Sequence, residues 1–100
     1  MNIFMEKVYL VVRKIPKGKV ATYKSIAVLI DSPKSSRAVA LALSKNFDPK
    51  IPCHRVVRSD GFVGGYNRGG PSQKAKLLRA EGVGTRNGKV SQLLKKIYQT

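Results

Sequence analysis

The stretch Thr22–Ser44, TYKSIAVLIDSPKSSRAVALALS, decides the reading of the fold. Thr22 stands where a helix N-cap is favoured, and Ile26, Leu29 and Ile30 repeat at the spacing of one buried helical face. This predicts a short helix over Tyr23–Ile30, broken by Asp31-Ser32-Pro33. Ser35 or Ser36 then opens another helix, running through Arg37, Val39, Ala42 and Leu43 to about Ser44. Two short helices on a tight turn, the second Ala-rich and basic at its start, have the pattern of a helix-turn-helix. An ordinary αα-hairpin of core helices fits the same pattern equally well.

Charge separates these alternatives. Twenty Lys and Arg face five Asp and Glu in 100 residues, a net charge of +15. Self-repulsion on that scale costs stability, and a polyanionic partner is a physical reason to retain it. An anionic membrane surface and a bland solubility effect are the rivals, and nucleic acid stands ahead of both. Ala38, Ala40 and Ala42 would let the second helix come close to a duplex. The apolar fraction, 42%, supports one core in one domain spanning residues 1–100. No apolar run reaches the ~20 residues of a membrane span, and the N-terminus lacks a secretory pattern, so cytoplasmic residence without membrane contact is the expectation.

Outward from this stretch, Asn2 can cap a first helix carrying Phe4, Val8, Val11, Val12 and Ile15, ended by Pro16-Lys17-Gly18. Downstream, Asn46–Pro52 reads as a loop and Arg55-Val56-Val57 as a short strand. Ser59-Asp60-Gly61 is its turn, with Phe62-Val63 pairing back. Gly64–Gly70 is glycine-rich, and Pro71 begins a fourth helix with Leu77 and Leu78 inside, closed at Glu81-Gly82. Asn87-Gly88 marks a turn, and in the tail 91–100 Leu93, Leu94 and Ile97 are spaced for a last amphipathic helix.

Ile51-Pro52-Cys53-His54-Arg55-Val56-Val57 carries the chemistry. Cys53 and His54 are the chain's only Cys and only His. They are too few for a Cys/His zinc site, and a lone Cys forms no internal disulfide. A thiol attacks as its thiolate, so an imidazole able to take the proton, with Arg and Lys nearby, would activate it. Adjacent side chains on a strand diverge, so direct contact needs a bend, which Pro52 could supply, or a bridging water. A buried, inert Cys beside a structural His is the bland alternative.

The segment resembles the active-site motif of the O6-alkylguanine-DNA alkyltransferases, the methylated-DNA–protein-cysteine methyltransferases. The resemblance extends to Val20-Ala21-Thr22-Tyr23, Ser36-Arg37-Ala38-Val39, Asn46, the Gly61–Tyr66 loop and Leu77-Leu78-Arg79-Ala80-Glu81-Gly82, from about Val8 to about Val90. It implies an α+β, mostly helical, winged-helix-like helix-turn-helix domain with a short strand pair, entering the minor groove. It implies Cys53 as alkyl acceptor, His54 as base acting through water, Glu81 orienting His54, and Tyr23 pressing on a phosphate and donating a proton to the leaving guanine. Arg37 would fill the space of the flipped base, with Ser36 and Ala38 also against DNA. Tyr66, Asn46, Val56 and Ser59 would belong to the substrate pocket, Asn46 bracing the turn of the helix-turn-helix.

The implied activity is direct-reversal repair. A monomer flips O6-alkylguanine out of double-stranded DNA and keeps the alkyl group on Cys53, once per molecule, with no cofactor and no metal. Two departures stand out. The N-terminal domain of many members, and any zinc site in it, is expected to be absent, and the stretch from Asn46 to Pro52 is about one residue short. Two other readings remain open at this point. One is an alkyltransferase-like protein that binds the lesion without transfer, although such proteins replace the cysteine, usually with Trp, and this chain has Cys53 and no Trp. The other is a general helix-turn-helix DNA binder with an inert thiol.

Overall fold

A computed structural model of the chain describes residues 2–98. Met1, Gln99 and Thr100, the ends of the expected domain, lie outside the described residues. The order is α1 (Ile3–Val12), β1 (Ala21–Thr22), α2 (Tyr23–Leu29), α3 (Ser36–Ser44), a 3₁₀ turn (Cys53–Arg55), β2 (Val56–Val57), α4 (Gly70–Ala80), β3 (Thr85–Arg86), β4 (Lys89–Val90) and α5 (Leu93–Lys96).

The helices begin where their caps dictate. The Asn2 side chain accepts from the Met5 amide at 2.8 Å. Thr22 and Ser25 form a reciprocal capping box at the start of α2, with bonds of 3.0 and 2.9 Å. After α2 the chain turns through Asp31 in the left-handed region, and the Ser32 amide reaches back to the Ala27 carbonyl at 2.8 Å. α1, α2 and α3 pack around Val8, Val12, Ile26, Ala27, Val39, Ala42 and Leu43. The Tyr9 hydroxyl, donating to the Ala42 carbonyl at 2.7 Å, ties α1 to α3.

A second, smaller core gathers Val20, Val57, Val63, Ala75, Leu78, Val83 and Val90 under α4. The seam between the cores is a parallel pair, β1 on β2, with Ala21 opposite Val56 and Thr22 opposite Val57. Alternation along β2 sends Val56 into the first core and Val57 into the second, both fully buried.

Three expectations need correction. Phe62-Val63 does not pair back on β2 as a strand. The Arg58 amide bonds the Phe62 carbonyl at 2.9 Å to close a turn, but the ladder of β2 is taken by β1. The antiparallel hairpin lies instead at β3–β4, where Asn87 and Gly88 both take positive φ, the type I′ turn that suits a two-residue connection. Leu29 is 44% exposed, because the buried face of α2 runs through Ile26, Ala27 and Ile30. The last helix is a single turn that leaves Leu94 89% exposed, while Ile97 is extended and bridges Val20.

Candidate active site

Pro52 bends the chain as its position suggests. With φ −80° and ψ 70°, it centres an inverse γ-turn closed by the Cys53 amide on the Ile51 carbonyl at 2.8 Å. The 3₁₀ turn that follows sends Cys53 and His54 to different surroundings. Cys53 packs against the α1–α3 core, where its sulfur accepts from Asn46 Nδ2 at 3.0 Å and lies 3.9 Å from the Leu43 carbonyl oxygen. Asn46, 5% exposed, bonds Asp48 through both ends of its side-chain amide, and its main-chain carbonyl accepts from Asn67 at 2.8 Å. Asn67 also donates to the Ser44 carbonyl at 2.7 Å, fastening the glycine-rich loop to the end of α3.

The resting thiol is not activated by its surroundings. Burial pushes its pKa up, and the Asn46 hydrogen bond and the charges of Arg68 and Lys74 only partly offset this. Arg68 and Lys74 do pull the thiol down, as neighbouring cations are expected to, but not far enough to offset its burial. Among the described residues it is Asn46, and not His54, that bonds the sulfur.

His54 turns the other way. Its Nε2 lies 3.0 Å from Glu81 Oε2. Glu81 caps the C-terminus of α4, which ends in a Schellman motif: Gly82 takes φ +90° and the Val83 amide bonds the Leu78 carbonyl at 2.9 Å. Glu81 also receives Arg55 in bidentate fashion, at 3.0 and 2.7 Å, while Arg55 Nη1 donates to the Ile15 carbonyl at 2.8 Å. Burial alone would raise the Glu81 carboxyl. The hydrogen bonds and charges of Arg55 and His54 win, and hold it below its ordinary value. Neither Arg79, which bonds Thr85, nor Lys74 pairs with Glu81. Arg55 is the partner that sequence reasoning missed, and only its two-residue offset from Cys53 hinted at it.

The thiol opens onto a hollow of about 310 Å³ lined by Tyr23, Ala40, Leu43, Ser44, Cys53, Gly65, Tyr66 and Asn67. That volume lies at the lower end for small-molecule sites. Tyr23, Ala40 and Gly65 also line a broader groove of about 650 Å³, with Lys24, Ser36, Arg37, Arg58, Ser59, Asp60 and Gly64. The expected residues therefore separate. Cys53, Tyr23 and Tyr66 meet at the hollow, with Asn46 behind the sulfur. Ser36 and Arg37 line the groove, and Ala38 is exposed on α3 beside them. Ser59 is exposed in the groove, away from the thiol's hollow. Val56 is a correction: placed in the pocket by expectation, it is wholly buried opposite Ala21, because the parallel pairing turns it into the core.

Two basic residues at the site had not been singled out. Lys74 is 1% exposed, and its ammonium donates to the Tyr23 hydroxyl at 3.1 Å and the Gly65 carbonyl at 3.2 Å. The Tyr23 proton is left free to be given elsewhere. A signal existed, since Lys74, Ala75 and Leu78 share one helical face. Arg68, beside Tyr66 and Asn67 in the loop, has a buried Nη2 with no partner among the described residues. Gly64 lets the loop approach Tyr23, because a Cβ there would sit 3.3 Å from its hydroxyl and the backbone has φ +80°.

The family model described as "6-O-methylguanine DNA methyltransferase, DNA binding domain" matches residues 3–83. The chain belongs to this family. The methylated-DNA–protein-cysteine methyltransferase of Metallosphaera sedula is 51% identical over 82 residues, covering 81% of this chain and 50% of that one. The Rattus norvegicus protein of the same name is 46% identical over 69 residues, 68% of this chain and 33% of that one. The Escherichia coli bifunctional transcriptional activator/DNA repair enzyme Ada is 48% identical over 79 residues, 78% and 22%. The chain thus spans half or less of the length of these relatives.

Among solved structures, S. pombe Atl1 in complex with damaged DNA containing O6-carboxymethylguanine superposes with a TM-score of 0.85 at 30% identity, over 100% of this chain and 98% of that one. Mycobacterium tuberculosis OGT in complex with DNA gives 0.77 at 36%, over 82% and 50%. The α+β, winged-helix-like architecture is thus that of DNA-bound members. Among the described residues no helix is long and apolar enough to cross a membrane, and no cluster of His, Cys, Asp and Glu could hold a metal ion.

Proposed function

We propose that this chain repairs O6-alkylguanine in duplex DNA by moving the alkyl group to Cys53, once per molecule and without a cofactor. One observation carries the reading: the only thiol of the chain opens into a hollow that shares Tyr23, Ala40 and Gly65 with a groove lined by Lys24, Arg37 and Arg58. The alkyl carbon of a stacked guanine is out of reach, so the base must leave the helix at a cost of a few kcal/mol. As a monomer, α3 would approach the minor groove with Ser36 and Ala38, and Arg37 would occupy the vacated space.

His54, held by Glu81, takes the Cys53 proton through one bridging water. The raised thiol supports the need for such a base. The sulfur then displaces the alkyl carbon: a C–S bond forms, the C–O6 bond breaks, and the leaving guanine takes a proton from Tyr23. Tyr23 is re-protonated by its buried neighbour Lys74. The thioether has no leaving group to return, which limits the protein to one event. Tyr66 covers the base, and Asn46 steadies the sulfur as its charge develops.

The full-length superposition on Atl1 favours a second reading, lesion binding without transfer. Intact-mass analysis after incubation with an O6-methylguanine duplex separates the two. One methyl mass on Cys53, absent in Cys53→Ala, supports repair. Tight lesion binding with an unchanged mass supports the second reading and overturns the first.

A further inference from the structure

The family match ends at residue 83, and the hairpin that follows it forms a basic surface of its own. Arg86 and Lys89, both exposed, line a shallow hollow of about 330 Å³ with Asn87 and Ser91, and Phe62 and Val90 form its apolar side. Two cations beside two neutral hydrogen-bonding side chains match a phosphodiester, which presents one charge and several acceptor oxygens. The hairpin is well held. Its turn is type I′, the Val90 amide bonds the Gly61 carbonyl at 2.8 Å, and the Val63 amide bonds the Gly88 carbonyl at 2.9 Å.

This surface is continuous with the groove of α3. Phe62, 44% exposed, lies between Arg58, 5.9 Å from its ring centroid, and Lys89, 5.5 Å from it. Arg58 is itself in the groove with Arg37 and Lys24, where Asp60 accepts from it at 2.7 Å and offsets its charge. The ring therefore spaces two cations and joins the groove to the hairpin. We infer that the β3–β4 hairpin is a second DNA-binding element, in which Arg86 and Lys89 hold the phosphodiester backbone of the same duplex that lies along α3.

This inference rests on the DNA-binding reading but not on alkyl transfer. Its test uses the 100-residue chain, Arg86→Gln/Lys89→Gln, and a control of equal charge, Lys7→Gln/Lys14→Gln on or next to α1, outside the groove and the hairpin hollow. Affinity for a plain duplex and for the same duplex with O6-methylguanine is measured between about 50 and 200 mM salt. Two lost phosphate contacts should flatten the slope of log affinity against log salt by roughly 1.8 and weaken binding roughly tenfold at the low-salt end. The control should move the slope by less than half as much. Methyl transfer from the free O6-methylguanine base, read by intact mass, should be unchanged in both variants.

An unchanged slope in the hairpin variant, or a slope equal to the control's, overturns the inference, since charge alone and not contact would then be acting. Wild-type protein that shows the slope difference without methylation leaves the hairpin in place and removes the repair reading. Methylation with no slope difference does the reverse.

Discussion

The two cores hold their parts of the site by different means. Around α1–α3, capped helices bury apolar faces against one another, and the α3 residues that line the groove, Ser36, Arg37 and Ala40, ride on a helix whose other face is anchored by Val39, Ala42 and Leu43. Under α4 the core is smaller and is knitted by backbone bonds between short segments, Val20 to Lys96 at 2.9 Å and Tyr98 to Val20 at 2.7 Å among them. The α2–α3 wall of the groove belongs to the first construction, and the carboxylate that holds His54 and the β3–β4 hairpin belong to the second, with Cys53 at the junction. The DNA contacts of α3 and the Glu81–His54 pair therefore rest on separable supports, and variants in one should leave the other largely in place.

The largest expected effect comes from the smaller core. Leu78→Ala empties a fully buried site and should cost about 3–4 kcal/mol in urea unfolding. Kept folded at low temperature, this variant should lose more in transfer rate than in plain-duplex affinity, because Glu81 hangs from the same helix whereas α3 does not, and only the hairpin's phosphate contacts share the damaged core. A plain-duplex affinity that falls in step with the rate would break the comparison.

Next comes the relay itself. Glu81→Gln keeps the shape but removes the charge that His54 and Arg55 share, and should slow transfer about a hundredfold, or ~2.7 kcal/mol, with lesion affinity within about twofold. Single-turnover rates beside equilibrium binding check this. Equal losses in both would make Glu81 a structural tie for Arg55 and nothing more.

The difference between the cores also explains what could be read in advance. α1, α2 and α3 were legible because Asn2, Thr22 and Ser35/Ser36 mark their starts and the apolar spacing fills a helical face. The Asn87-Gly88 hairpin turn was legible for a similar local reason, since both positions need positive φ. β1 was not: two residues carry no periodicity, and its partner β2 is 35 positions away (Ala21 to Val56). That hidden pairing is why Val56 was placed in the pocket and is found in the core. At the site, Cys53 and His54 stood out because each is the only residue of its type, and the placing of Tyr23, Arg37 and Tyr66 came from the family resemblance. Arg55 and Lys74 left only faint signals, an offset from Cys53 and a place on the helical face of Ala75 and Leu78, because burial of a cation is decided by contacts made across the fold.

Lys74 offers the finest probe, since it reaches from α4 across the seam to Tyr23 on α2. Burial pushes its pKa from 10.5 down to about 7, although the nearby Cys53 works in the opposite direction. Below about pH 7 the ammonium is charged in both the folded and the unfolded chain, and the fold bears the whole cost of burying it. Above that, the folded amine gives up its proton while the unfolded one keeps it, so this group makes stability rise with pH until about 10.5. Lys74→Met should therefore stabilise the fold by on the order of 1–2 kcal/mol at pH 6 and lose that advantage steadily toward pH 9. The Cys53 thiol, raised in the fold, bends the curve the other way at high pH, and because Lys74 itself lowers that thiol both proteins carry Cys53→Ala, so that the difference between them isolates the lysine. Urea titrations at pH 6, 7.5 and 9 give the measurement. A constant difference across that range would mean the ammonium is stably charged in the fold, held by Tyr23 and the Gly65 carbonyl, and that the seam between the cores is an electrostatic tie and not a dry contact.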